Sequence, residues 1–309
     1  MHNGLTPTPH LEKLAAALEN EKLPSRDKPR VERAITLYHA WIKQLNAAYK
    51  AGSPDDVLRK MVELLNEYKL KVEVDLIFDS QDNFLYRQKG QLKLDNTILE
   101  EFLPRLVHPA VLPEVRELDV TAGPTTTFSA VHFTSSLEIP QPGGGMSIRT
   151  KDQDFAICKK LYLKASHDEN FRDAIVKETR VAYVVAEVKT NLDKTMFQEA
   201  CATANDVKRS VLGGRYFLLC EWLDMTPAST APTDIDEVLI LRKAKRLGSN
   251  TRKDFDTSEK RKSRREEYLR FLKSKPLAED MFERFLTHIR KLIKNEVPVE
   301  RDVLQLGYF

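Results

Sequence analysis

Cysteine is scarce in this chain: three in 309 residues, at Cys158, Cys201 and Cys220. The number is odd, no two form a CxxC pair, and each lies in an apolar segment. Buried free thiols are expected, not a disulfide framework or a thiolate zinc site. The seven histidines are scattered, with no HxxxH or HExxH spacing, which disfavours a histidine-built metal centre. No apolar run is long enough to span a bilayer. The opening MHNGLTPTPHLEKL lacks both the basic start and the apolar stretch of a secretory signal, so a cytoplasmic protein is expected. A strong charge imbalance is missing as well. Lys and Arg number 49 against 46 Asp and Glu, and a net charge of +3 names no partner by itself.

What the chain does have is a globular composition, 41% apolar and 31% charged, and length for one large domain or two modest ones. Residues 11–71 read as helical: Leu11, Leu14, Ala15 and Leu18 recur at helical spacing, as do Val57, Met61, Leu64 and Leu65. Ser53-Pro54 supplies a cap and first turn. VEVDLIF at 72–78 alternates, Asp82-Asn83 offers a turn and FLYRQ returns, so a β-hairpin is predicted there. Another short helix is predicted over 95–107, ending near Pro109 and Pro113. Residues 119–150, with TAGPTTTF and PQPGGG, suggest loops around one or two strands. The apolar strand DFAICKKLYL, a helical-looking ENFRDAIVKE and the strand VAYVVAEVKT follow. Then come a helix over 194–211, with Phe197, Cys201, Ala204, Val207 and Val211 on one stripe, and the strand RYFLLCEWL. Such an order implies an α/β (α+β) fold with a mixed sheet flanked by helices. Three regions are expected: 1–112, helical with a hairpin; 113–240, the core; and 241–309, basic and helical. The last contains a run of Lys and Arg from Arg242 to Lys275 and a final helix over 278–294.

In VAYVVAEVKT, strand periodicity places Val181, Tyr183, Val185, Glu187 and Lys189 on one face. A carboxylate and an ammonium thus end an otherwise apolar stripe side by side, which is costly without compensation. Asp154 opens the preceding apolar strand and can lie opposite Glu187. Two converging carboxylates repel unless a cation sits between them, and hard oxygen ligands favour magnesium. Asp154, Glu187 and the Val188 carbonyl would bind that ion, which would polarise a phosphodiester. Lys189 would sit beside it and help orient and deprotonate the attacking water. An ExK pair alone is more often a surface ion pair; Asp154 on a preceding strand, and the helix and strand that follow, shift the balance towards chemistry.

The order Asp154, Glu187-Val188-Lys189, helix, strand resembles the PD-(D/E)xK nuclease fold. IRTKDQDFAICKKLYLKAS together with AEVKTNLDKTMFQEA is similar to subunits of the BbvCI and Bpu-ten-I type of restriction endonuclease, over about residues 140–225. The resemblance implies a type II, magnesium-dependent, site-specific deoxyribonuclease that hydrolyses phosphodiesters in double-stranded DNA at a short asymmetric site. It also implies a second, different subunit, with a homodimer as the fallback, and a methyltransferase protecting host DNA. The family's metal-binding acids fall on Asp154 and Glu187, its lysine on Lys189, and Gln198 matches a polar position that often faces the site. Gln153 replaces the proline of the motif name. The 33 residues from Asp154 to Glu187 call for an inserted helix near 168–178. Glu114 and Glu117 are candidates for an upstream acid.

DNA contact needs cations for phosphates. Lys260, Arg261, Arg264 and Arg265 in the basic run, and Lys151, Lys159 and Lys160 around Asp154, are the candidates, with Arg149 and Asn191 for base contact. A solvated face balanced by Asp254, Asp256, Glu259, Glu266 and Glu267 is the competing reading of the run. Two other functions stay open: a repair or recombination nuclease of the same fold, which should prefer DNA structure over sequence, and a non-catalytic DNA-binding protein, against which the intact Asp154, Glu187 and Lys189 argue.

Overall fold

The computed structural model of the chain describes residues 7–294, 301, 304, 305 and 307. The outer ends of the first and third expected regions lie outside the described residues. Three helices open the fold: α1 (Pro9–Glu19), α2 (Lys28–Ala48) and α3 (Pro54–Lys71). The start of α3 is a capping box, in which the Ser53 hydroxyl accepts from the Asp56 amide while the Asp56 carboxylate accepts from the Ser53 amide.

The hairpin expected after α3 is absent. Val72–Phe78 continues the helix in π form and is followed by α4 (Asn83–Gln88). The reason lies in burial. A strand would turn Glu73 and Ile77 to solvent, yet both are buried with Val72, Val74, Leu76 and Phe78, so the segment is covered on nearly every side, with Asp75 alone partly exposed. Glu73 is held by charge: Arg242 Nη2 lies 3.0 Å from its carboxylate and Lys69 Nζ 3.6 Å away. Glu221 completes the group, 2.7 Å from Lys69 and 3.1 Å from Arg242. Two buried cations therefore neutralise two buried anions. The first residue of the basic run, Arg242, is buried in this internal cluster and is not part of a solvent-facing basic surface.

Beyond α5 (Thr97–Leu106) come β1 (Thr121–Phe133), β2 (Met146–Ala165), β3 (Ile175–Leu192), α6 (Lys194–Ser210), β4 (Arg215–Leu223) and β5 (Glu237–Ile240). They form one mixed sheet in the order β1-β2-β3-β4-β5. The first three strands are antiparallel neighbours; β4 is parallel to β3, and β5 to β4. The crossover from β3 to β4 is α6, as its length requires. The helix expected near 168–178 does not exist. Pairing between β2 and β3 runs outward to Ala165↔Ile175, so the interval from Asp154 to Glu187 is consumed by two long strands and a turn. The C-terminal part contains α7 (Ser249–Lys253), α8 (Ser258–Ser263), α9 (Arg265–Lys273) and α10 (Glu279–Ile293).

Alternation along the strands divides the sheet between two packing layers. Phe155, Ile157, Val184, Ala186, Val188, Phe217 and Leu219 enter one continuous core that extends from Leu14 in α1 to Ile289 in α10. There the Phe285 ring meets Phe155 and Phe217 at centroid distances of 5.9 and 5.2 Å. On the opposite face Ala156, Val185, Leu218 and Cys220 pack against Ala200, Ala204 and Val207 of α6. All three cysteines are free thiols. Among the described residues, no helix is long and apolar enough to cross a membrane.

Candidate active site

The register between β2 and β3 decides where the acidic residues meet. Phe155 pairs with Ala186, so the next antiparallel step sets Asp154 across from Glu187. The Val188 amide donates to Asp154 Oδ2 at 3.0 Å, fixing that carboxylate against the neighbouring strand. Asp154, Glu187 and Lys189 extend the stripe begun by Ala156 and Val185 on the α6 face. They stand where that stripe leaves the apolar layer: Glu187 and Lys189 side chains keep 18% and 28% exposure. The three residues singled out from the sequence are thus together at one sheet end, open to solvent on one side.

Glu187 is held through both oxygens. Lys189 Nζ lies 2.7 Å from Oε1, and the Tyr216 hydroxyl donates to Oε2. Tyr216 is brought there by the parallel pairing of Val185 with Tyr216, and its ring is fully buried. Burial, followed by the Glu187 charge, pushes the Tyr216 hydroxyl up in pKa, so it remains a donor. For Lys189, burial alone would lower the ammonium pKa. Its hydrogen bond and charge interaction with Glu187, reinforced by Asp154 and Glu199, outweigh burial and raise it. Lys189 is therefore a fixed positive charge rather than a proton acceptor at neutral pH.

A further acid comes from α5, and it is neither of the two expected upstream candidates. Glu114 lies 3.9 Å from Arg290 and Glu117 is exposed. Glu100 is 5% exposed, and burial followed by the charge of Asp154 raises its pKa to about 7. Asn96 donates to its Oε1 at 3.1 Å and Lys93 Nζ lies 3.7 Å away. The sequence carried a signal: two adjacent glutamates in TILEEFLPRL, a helix of which nine of ten residues are buried. Glu101 turns the other way, accepting from Tyr38 and the His10 amide.

The expected DNA contacts are scattered. Arg149 and Lys151 face α6, 3.8 and 3.2 Å from Asp206. Lys159 and Lys160 are exposed on the outer hairpin, paired with Val181 and Arg180 where β3 has no β4 neighbour. They lie roughly 17 Å along the strand from Asp154. Gln198 is exposed on α6, and Glu199 is the α6 residue whose charge reaches Lys189. Asn191 is half-buried and lines a cleft beside the site. In the basic run, Arg261 as a DNA contact is overturned. It is 1% exposed and donates to the carbonyls of Phe78, Ser80 and Phe255 and to the Asn83 side chain. Its donors close the fold where backbone carbonyls would otherwise be left without partners. Lys260 lies 2.9 Å from Asp256, Arg264 3.1 Å from Asp254 and Arg265 2.8 Å from Asp79.

The cleft has a volume of about 630 Å³ and includes Asp154, Val188, Lys189 and Asn191 in its wall. Among the described residues, no three acidic, histidine or cysteine side chains form a ready-made metal cage. The donors still suit a hard divalent cation: carboxylate and carbonyl oxygens without sulfur or imidazole. Burial and the charge of Asp154 together outweigh Lys93 and Lys13 at Glu100, so the two carboxylates repel where a cation between them would relieve the charge. Glu187 accepts once at each oxygen, from Lys189 and Tyr216, which leaves a lone pair on each to join a metal shell.

A sequence search among curated proteins finds no match. Among solved structures, the chain is similar to one described as the native BbvCI A2B2 tetramer at low resolution. The TM-score is 0.61 with 20% identity, over 94% of this chain and 98% of that one. The likeness shows a shared α+β restriction-endonuclease-like fold, and it extends to the N-terminal helices. The description Bpu10I restriction endonuclease matches residues 91–309, a span that contains α5, the whole sheet and the basic C-terminal helices. By that match the chain belongs to the Bpu10I restriction endonuclease family.

Proposed function

We propose that this chain is one subunit of a type II restriction endonuclease that hydrolyses phosphodiesters of double-stranded DNA at a short asymmetric site. The observation that carries the reading is the convergence of Asp154 and Glu187 across β2 and β3 with Lys189 2.7 Å from Glu187. Asp154, Glu187, the Val188 carbonyl and Glu100 would hold a magnesium ion. That ion, when bound, supplies Lewis-acid stabilisation of charge on the phosphodiester. Lys189 contributes a permanent ammonium whose N–H groups orient a water or a phosphate oxygen. Tyr216 donates to Glu187 and fixes its rotamer, so the carboxylate is positioned before substrate arrives. Asn191, in the wall of the cleft beside the centre, would meet the DNA there. Arg149, Lys151, Lys159 and Lys160 would meet it only further out, and three of them would first have to leave an acidic partner.

The partner in this reading is a second, different subunit. The structural neighbour is described as an A2B2 tetramer, and a single centre of this kind attacks one strand at a time. Glu187→Gln is the direct test. The amide retains the size of the side chain but is a poor cation ligand and cannot pair with Lys189. Cleavage by this subunit should fall by at least about a hundredfold, with the melting temperature and DNA binding retained. Cleavage at the parent rate in millimolar magnesium would remove Glu187 from the centre. Lys189→Ala should lose the chemical step in the same way; loss of folding instead would make Lys189 structural.

A further inference from the structure

The cleft beside Asp154 gathers chain from three parts of the molecule. Its wall includes the segment between α4 and α5, the end of β3, and the residues from Arg246 to α9. Six cations line it: Arg87, Lys89, Lys93, Lys189, Arg246 and Arg252. Three carboxylates line it as well, Glu73, Asp95 and Asp154, and Glu73 is already neutralised by Arg242 and Lys69. The lining is therefore net positive in a chain that is nearly neutral overall.

The pairing of these cations differs from that in the basic run. Lys89 stands 3.9 Å from Asp95, and Lys93 3.7 Å from Glu100, both at the limit of an ion pair. Arg246 has one acidic partner, Asp224, at 3.2 Å. Among the described residues Arg87 and Arg252 have no ion pair, and Arg252 Nε is buried without a hydrogen-bond partner. A desolvated guanidinium N–H with no acceptor is unfavourable, and an anionic oxygen is its best remedy. By contrast Arg261, Lys260, Arg264 and Arg265 are buried or closely paired with the protein's own acids. Arg87 and Arg252 are thus cations in the cleft wall beside Asp154 that no acid among the described residues holds at ion-pair distance. On the basic helices Lys262, Arg270 and Lys273 are exposed but do not line the cleft.

We propose, building on the nuclease reading above, that this cleft is the clamp for the DNA backbone. Arg87 and Lys89 from the N-terminal part and Arg246 and Arg252 from the C-terminal part hold phosphates of the strand whose scissile phosphate lies against Asp154 and Lys189. Arg87 and Lys89 precede the family match, which begins at residue 91. The N-terminal helical region then has a substrate-binding role in addition to its part in the core. Because phosphates are alike in all sequences, the clamp adds affinity and register and reads no bases.

The test is the salt dependence of duplex binding by the full chain with chelator present, so that no metal-dependent cleavage occurs. A fluorescent mixed-sequence duplex serves as probe, read by anisotropy. Arg87→Ala and Arg252→Ala should each make the slope of log K against log salt shallower by about one unit. Arg252→Lys, which keeps the charge, should restore it. Lys260→Ala and Arg264→Ala should follow the parent. If folded Arg87→Ala and Arg252→Ala proteins keep the parent slope, the clamp is overturned while the nuclease reading stands. If the parent chain binds no duplex DNA at low salt, the nuclease reading fails and the clamp falls with it.

Discussion

Lys189 illustrates how a residue's neighbours decide what it can do. Held above its ordinary pKa by Glu187, Asp154 and Glu199 against the opposing effect of burial, it supplies charge rather than accepting a proton. From the sequence, too, the role expected of Lys189 rests on its charge, which would orient the attacking water and help its deprotonation. Glu100 is the converse case and makes a testable prediction. Its pKa of 4.5 in the unfolded chain becomes about 7 in the fold, through burial first and Asp154 second. A raised folded-state value means that its contribution to stability is complete below pH 4.5 and is lost as the pH rises through 7. At pH 8 the folded protein carries an ionised, buried carboxylate near Asp154. Glu100→Gln should therefore stabilise the metal-free protein at pH 8 by about 2 kcal/mol, allowing for partial hydration, and change little at pH 4. Thermal melts at the two pH values check it; equal shifts at both would mean that the fold does not raise the pKa of Glu100. Asp154, Glu187 and Lys189 were legible in the sequence because period-two alternation reports facing directly. Tyr216 was not, because it reaches the site through strand pairing that local spacing does not encode. For Glu100 the paired glutamates of an apolar helix flagged a buried acid, but nothing local said which site it joins.

Elements were legible wherever one face was apolar and the other polar. The helices over 11–71, α6 and α10 and the strand β3 follow such patterns; α5 and β4, buried almost throughout, were legible instead as short apolar runs. VEVDLIF misled because alternation of apolar and charged residues is a strand signal only when the charged residues face water. Here Glu73 is buried in the cluster with Lys69, Glu221 and Arg242. The helix expected near 168–178 failed for a related reason: ENFRDAIVKE has helix-forming composition, but the β2–β3 ladder claims Ile175 onward. Long-range pairing overrides local propensity there. The buried cluster supplies a second prediction. Arg242 contacts Glu73, Glu221 and the Lys275 carbonyl and lies over the Trp222 ring, 4.7 Å from its centroid. Arg242→Ala leaves two buried carboxylates with Lys69 alone. It should destabilise the protein by about 3–5 kcal/mol, measured by urea unfolding. DNA binding by the fraction that remains folded should be unchanged. A small stability loss with weakened DNA binding would instead place Arg242 among the phosphate contacts.

At the scale of the whole molecule, the chain has one Asp154–Glu187–Lys189 centre on one sheet, backed by a core continuous from α1 to α10. One such centre can attack one phosphodiester at a time, so a double-strand break needs a second centre facing the other strand. In the heteromeric reading that centre belongs to a different subunit, and strand and subunit are matched one to one. Pairing a Glu187→Gln chain with an intact partner subunit should then yield a site-specific nicking enzyme. The uncut strand would always be the one this chain normally hydrolyses. Supercoiled plasmid separates the outcomes, because nicked circles and linear DNA migrate differently on a gel. Nicked circles that persist while the parent complex gives linear DNA would support one centre per strand. Linear product from the mixed complex would mean that the partner's centre serves both strands in turn. Double-strand cutting by this chain alone, lost when Glu187 is replaced, would instead make the enzyme a homodimer, with two copies of the same centre facing opposite strands.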